Sequence, residues 1–219
     1  MSVIGINISS LIASFWSHLY SRTDEAAPIR PARTNPEVFP ATNDPDVQLF
    51  LSYIEGNEHA FRMLFEKWKL PVISYLYRST GNRESAEELA LDVFRRLHQS
   101  IQRYQPKAKF STYLFFIARR LLINHSRQMR RKPLDFYDPH ELVSISSETA
   151  YEKIFSDDDE HVLTAALRGL SENYRTPLLL TLQQGMHPCE VAAIIGKSEN
   201  ATRVLLHRGK QQLKNLLNP

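Results

Sequence analysis

Over most of the chain beyond Asp46, apolar residues recur every three or four positions, and no run of alternating β-branched residues is as long as a strand. That period admits amphipathic helices packed by one face and argues against a sheet, so the expected fold class is all-α. "DVQLFLSYIEGNEHAFRMLFEKWK" reads as two helices broken at Gly56-Asn57, with Pro71 marking a kink or restart and Gly81-Asn82 the next turn. "SAEELALDVFRRLHQSI" opens with Ser85 and Glu88 at capping-box spacing. "YQPKAKF" is a loop, and "FSTYLFFIARRLLINHSRQMRRK" is a further helix.

Charge divides the chain more sharply than hydropathy does. Val93 to Leu134 holds eleven Lys/Arg and no carboxylate, whereas Asp135 to Glu160 holds nine Asp/Glu against Lys153 alone. Gly196 to Leu217 is basic again, with five Lys/Arg against Glu199. The net charge is only +3, so the order basic, acidic, basic carries the information. It suggests two polyanion-binding segments joined by an acidic connector. With 219 residues, 42% of them apolar, the chain can build one or two packed domains. The single cysteine, Cys189, rules out an internal disulfide framework and fits a reducing, cytoplasmic setting.

Residues 1–42 stand apart. Their uncharged start places Ile4, Ile8, Leu11, Ile12, Phe15 and Leu19 at helical spacing on one side, and a Pro-punctuated tether follows. Polar interruptions argue against a membrane span, and the lack of an initial positive charge argues against a secretory signal. An amphipathic helix here packs on its own chain, on a partner or on a membrane surface. The acidic stretch carries no sustained period and reads as a linker. After it, "HPCEVAAIIG" and "SENATRVLLHRGKQQLKNLL" have the look of a helix-turn-helix: Ala192 and Ala193 permit close approach, Gly196 turns the chain, and Ser198 caps the next helix.

On a helical wheel from Phe110, Leu114, Ala118, Leu121 and Leu122 form a core side. Tyr113, Arg120, Asn124, Arg127 and Arg131 share another side, with Phe116 beside them, and the preceding loop adds Tyr104, Lys107, Lys109 and Phe110. Arginine holds phosphates, asparagine bonds base edges and aromatic rings stack on unpaired bases, a mixture suited to opened DNA. In the last helix Asn200, Arg203, His207, Gln211 and Lys214 share one face, opposite Leu205, Leu206, Leu213 and Leu216, as a recognition helix requires. In the helix from Ser85, Ala86, Ala90, Val93, Phe94 and Leu97 point inward, which leaves Leu91 among Glu88, Asp92 and Arg95 as an apolar spot with a polar rim.

Taken in order, "GNEHAFRMLFEKW", "SAEELALDVFRRL" and "FSTYLFFIARRLLINHSR" resemble region 2 of bacterial extracytoplasmic-function (ECF) sigma factors, and "LRGLSENYRTPLLLTLQQGMHPCEVAAIIGKSENATRVLLHRGKQQL" resembles their region 4. The resemblance implies an RNA polymerase sigma subunit with region 2 over residues 43–133, an acidic linker over 134–159 and region 4 over 160–219. It implies core RNA polymerase as partner, through the β′ clamp helices and the β flap, and promoter DNA as the other. An anti-sigma factor or other regulator is a further candidate. Glu87, Glu88, Leu91, Asp92 and Arg95 then correspond to the polymerase-binding helix. Tyr104 to Phe110 with Tyr113, Phe116, Arg120, Asn124 and Arg127 correspond to the −10 reader. Ser198, Asn200, Arg203, His207, Arg208, Gln211 and Lys214 fall to the −35 element. The chain departs from the family pattern at Leu91, Tyr113, Arg120, Asn200-Ala201-Thr202 and Leu205, and these departures bear on which promoter is read.

The alternative is a helix-turn-helix regulator acting without polymerase, which leaves the region-2 blocks unexplained. An enzyme is not expected. "HPCE" lacks the second Cys or His pair of a zinc site, and "SDDDE" before a helix suits caps and dipole partners better than a cation. No cofactor, metal or catalytic residue is called for.

Overall fold

The computed structural model describes residues 43–131 and 158–217. The N-terminal helix with its tether, and the acidic linker up to residue 157, lie outside the described residues. All regular structure among the described residues is helical. The first lobe comprises α1 (Pro45–Ile54), α2 (Glu58–Thr80), α3 (Arg83–Gln99), a 3-10 turn (Ile101–Arg103) and α4 (Phe110–Arg131). The second comprises α5 (Asp158–Gly169), α6 (Glu172–Leu182), α7 (Pro188–Ile195) and α8 (Glu199–Leu217).

The helix ends follow the local chemistry. Gly56 turns the chain at φ 106°, and the Asn57 side chain then accepts from the amides of His59 and Ala60 to start α2. Two expectations are corrected. Ser85 and Glu88 do not open α3. Asn82 does, its side chain accepting from the Ser85 amide at 2.7 Å after Gly81 has adopted φ 69°. Pro71 does not restart the chain, because α2 runs unbroken to Thr80. A mid-helix proline forfeits one hydrogen bond, but Val72, Ile73, Tyr75 and Leu76 just beyond it are buried and packing holds the helical course.

Aromatic rings fill the first lobe: Phe50, Phe61, Tyr75, Phe94, Phe110 and Phe115 are all fully buried. Leu114, Ala118 and Leu122 of α4 face inward as expected, while Leu121 is only half-buried. Phe115 and Ile117, outside the expected stripe, are buried too. The stripe is wider because α4 packs on α2 and α3 and also against α7.

The second lobe is aliphatic. Leu178, Leu180, Val191 and Ile194 form its centre with Leu206 and Leu213 of α8. A Cβ added to Gly209 would lie 3.1–3.3 Å from Leu178 and Tyr174, so the glycine lets α8 lie close on α6. Leu216, expected on the packed side, is 47% exposed, in the last turn of α8 beside Gly169. The lobes are in contact, α2 against α5 and α6, and α4 against α7. No helix among the described residues is long and apolar enough to cross a membrane.

Candidate polymerase- and DNA-binding surfaces

On α3, Ala86, Leu89, Ala90, Val93, Phe94 and Leu97 are buried. Leu91 points out, 38% exposed, beside exposed Glu88. Arg95 donates to Asp92 at 2.7 Å and Arg83 to Glu87 at 2.8 Å. The outcome is an apolar spot rimmed by charges already held in intrahelical pairs, a surface that a partner can cover with little further ordering.

Tyr104 leads the loop into the core. Its ring stands edge-on to Phe50 (4.7 Å between centroids) and to Tyr113 (5.2 Å). Burial raises the pKa of both tyrosine hydroxyls, so both stay neutral. Phe110 departs from its expected role: it is fully buried beside Phe50 and presents no surface to DNA here. Its backbone is held from a distance. One Asp44 carboxylate oxygen accepts from the Phe110 amide at 2.8 Å and the other from the Asp46 amide at 3.0 Å, so one side chain caps α1 and anchors the start of α4.

Along α4, Arg120, Asn124 and Arg127 are exposed on one face, with Tyr113 and Phe116 half-buried beside them. Lys107 is exposed, but Lys109 reaches across to Glu190 of α7 at 3.0 Å. Arg119, one residue before the expected reader, also turns to the second lobe. It lies 3.7 Å from Glu172 and donates to the Ile194 carbonyl at 3.5 Å.

Helix α7 begins after His187, whose amide donates to Glu190 at 2.8 Å, and ends at Gly196 with φ 70°. Ser198 accepts from the Ala201 amide at 3.2 Å, so its side chain is engaged as a cap. Asn200, Arg203, His207, Arg208, Gln211 and Lys214 are all exposed on α8. Arg203 is held by Glu199 one turn back, at 2.6 Å. Sequence reasoning missed Asp44, Arg119, Glu172 and Glu190 as organising groups. Only Glu190 carried a local signal, its position three residues after His187.

Two family descriptions match the chain, "Sigma-70 region 2" over residues 64–132 and "Sigma-70, region 4" over residues 160–213, together more than half of its length. This chain belongs to the sigma-70 family, with the ECF sigma factors. It is 26% identical over 174 residues to the ECF RNA polymerase sigma factor SigW of Bacillus subtilis, covering 74% of this chain and 91% of that one. To the ECF RNA polymerase sigma factor SigE of Mycolicibacterium smegmatis it is 31% identical over 143 residues, covering 64% of this chain and 55% of that one. The fold matches CnrH, solved in complex with the cytosolic domain of CnrY, with a TM-score of 0.57 and 18% identity over 80% of this chain and 98% of that one. It also matches the sigma factor RpoE of Bartonella quintana, solved with the anti-sigma factor NepR, with a TM-score of 0.56 and 20% identity over 72% of this chain and 96% of that one. In this sigma factor the exposed spot at Leu91 and the face from Arg120 to Arg127 fall within region 2, and α7 and α8 fall within region 4.

Proposed function

We propose that this sigma factor directs core RNA polymerase to its promoters and aids DNA opening by binding energy alone, in the cytoplasm, with its two lobes dividing the work. Leu91, with Glu87, Glu88, Asp92 and Arg95, meets the β′ clamp helices. Tyr104, Lys107, Lys109, Tyr113, Phe116, Arg120, Asn124 and Arg127 act on the −10 element, with Phe110 supporting them from the core. On α8, Asn200, Arg203, His207, Arg208, Gln211 and Lys214 read the −35 element. The second lobe also meets the β flap. The observation that carries this reading is the coexistence in one chain of an exposed apolar spot on α3 and two separate exposed basic faces on α4 and α8. A regulator that binds duplex DNA by itself has use for the last of these only. CnrH and RpoE were each solved bound to another protein, and a comparable anti-sigma regulator fits this chain.

A promoter fragment titrated with the chain alone and with the chain plus core polymerase tests the reading in a mobility-shift assay. A specific complex should form only with core present. Equally tight, sequence-specific binding without polymerase would establish the helix-turn-helix regulator instead.

A further inference from the structure

A form in which Lys109 touches Glu190 cannot also span two promoter elements. Elements centred at −10 and −35 lie about 25 base pairs apart, or roughly 85 Å of duplex at about 3.4 Å per pair. Here α7 begins beside the loop that leads into α4, with Lys109 Nζ 3.0 Å from Glu190 Oε1. Helices α7 and α8 have 8 and 19 residues, so even laid end to end they reach only about 40 Å from that point. The docked lobes must part before both elements are engaged. The 26 residues between α4 and α5 can reach about 85 Å of chain length, enough to permit it.

Buried apolar residues of the two lobes belong to one cluster, but the polar contacts between the lobes suit separation. Lys109 pairs with Glu190, and Arg119 with Glu172 and the Ile194 carbonyl. Gln184 donates to the Pro71 carbonyl at 3.3 Å, Gln183 bonds Ser74, and Tyr77 meets His161 at 3.1 Å. Water can replace each of these when the lobes part. The Lys109–Glu190 pair is the asymmetric one: it is a charge contact at 3.0 Å without hydrogen-bond geometry, and the Glu190 side chain is 5% exposed against 43% for Lys109. A buried carboxylate is tolerated only while its partner is present, whereas removing both charges costs little.

We propose that Glu190 is an intramolecular counter-ion that holds Lys109 in the place DNA phosphate later takes, and that this pair latches the two lobes of the free sigma factor. Competition with DNA rests on the function proposed above; the latch itself does not. It predicts an unusual mutational pattern. Lys109→Gln strands the Glu190 carboxylate in the docked form and opens the molecule. Adding Glu190→Gln removes that buried charge, keeps an acceptor for the His187 amide and lets the lobes close again.

The test uses the full chain carrying Cys189→Ser, with dyes at Glu55→Cys and Gln212→Cys, both exposed positions on different lobes, and energy transfer read without DNA or polymerase. The parent should show high transfer. Lys109→Gln should raise the open-to-closed ratio by about tenfold or more, and Lys109→Gln with Glu190→Gln should return it near the parent. A cooperative thermal melt with unchanged helical signal separates opening from unfolding. Parental transfer in Lys109→Gln, or a double variant as open as the single one, would overturn the latch. A latch that behaves as described in a chain that never directs core polymerase to a promoter would sink the sigma reading and leave the latch standing.

Discussion

The two lobes solve the same packing problem with different materials. The first buries interlocked aromatic rings: Phe50 alone lies within about 6 Å (centroid distance) of Tyr53, Tyr104 and Phe110. The second relies on leucines, on valine and isoleucine, and on the close approach at Gly209, and α5, α6 and α7 lean on α2 and α4. Their charges differ in the same way. Arg203 is held by Glu199 within its own helix, but α4 contains no carboxylate at all, and Arg119 and Lys109, the residue just before the helix, pair with carboxylates on the other lobe. The two lobes share one buried cluster in the closed form, and the second supplies the counter-charges that α4 lacks.

The strongest way to break this comparison is through the cores. Phe50→Ala should cost about 3–5 kcal/mol and, followed by hydrogen exchange, should lower protection in both lobes. Leu178→Ala should cost about 2–5 kcal/mol but leave the first lobe protected. Equal and independent losses would show that neither lobe supports the other.

Next come the partner-facing positions. Leu91→Arg drives a charge into a contact that is apolar only if polymerase covers it, and core affinity should fall by about 3 kcal/mol or more. Folding should be unchanged, since Leu91 is 38% exposed; normal core binding by this variant would remove α3 from the polymerase surface. Arg203→Ala should spare core binding and weaken promoter binding by about 1–3 kcal/mol if the guanidinium reads a base. A uniform loss across sequences with a shallower salt slope would make it a phosphate contact instead.

The smallest effect is one of pH. His98, hydrogen-bonded to Tyr53, has its pKa held below 6.5 by burial. The unfolded chain therefore takes up this proton more readily than the folded one. The stability from neutral His98 is fully present above about pH 6.5 and is lost as pH falls from there through the folded value. Melting temperature measured from pH 7.5 to 5 should drop by the equivalent of about 1 kcal/mol or less, and His98→Gln should flatten that part of the slope. An unchanged slope would assign the acid sensitivity to other groups.

The helices and most of their inward faces were legible because a 3.6-residue period is a local property, visible wherever apolar residues repeat. Ala86, Ala90, Val93, Phe94 and Leu97 are buried as the period demands. Local chemistry also placed the turns at Gly56, Gly81 and Gly196, where only glycine adopts positive φ without strain. Ser85 and Glu88 do not form the cap because Asn82, directly after the glycine turn, starts the helix earlier and takes the Ser85 amide. The exposed candidates Arg120, Asn124, Arg127, Asn200, His207 and Lys214 could be named from the sequence because amphipathic faces define their own outsides.

What the sequence determined by itself is therefore an all-α chain with two basic faces, an apolar spot at Leu91 and the region order of a sigma factor. Only the tertiary structure decided that Phe110 is core, that Asp44 anchors a helix 66 residues away, and that Glu190 meets Lys109 across the lobes. Those pairings join residues far apart in sequence, and no periodicity records them. Which carboxylate a lysine finds depends on how whole helices dock, and docking sums many weak apolar contacts with the few charge pairs that it brings together.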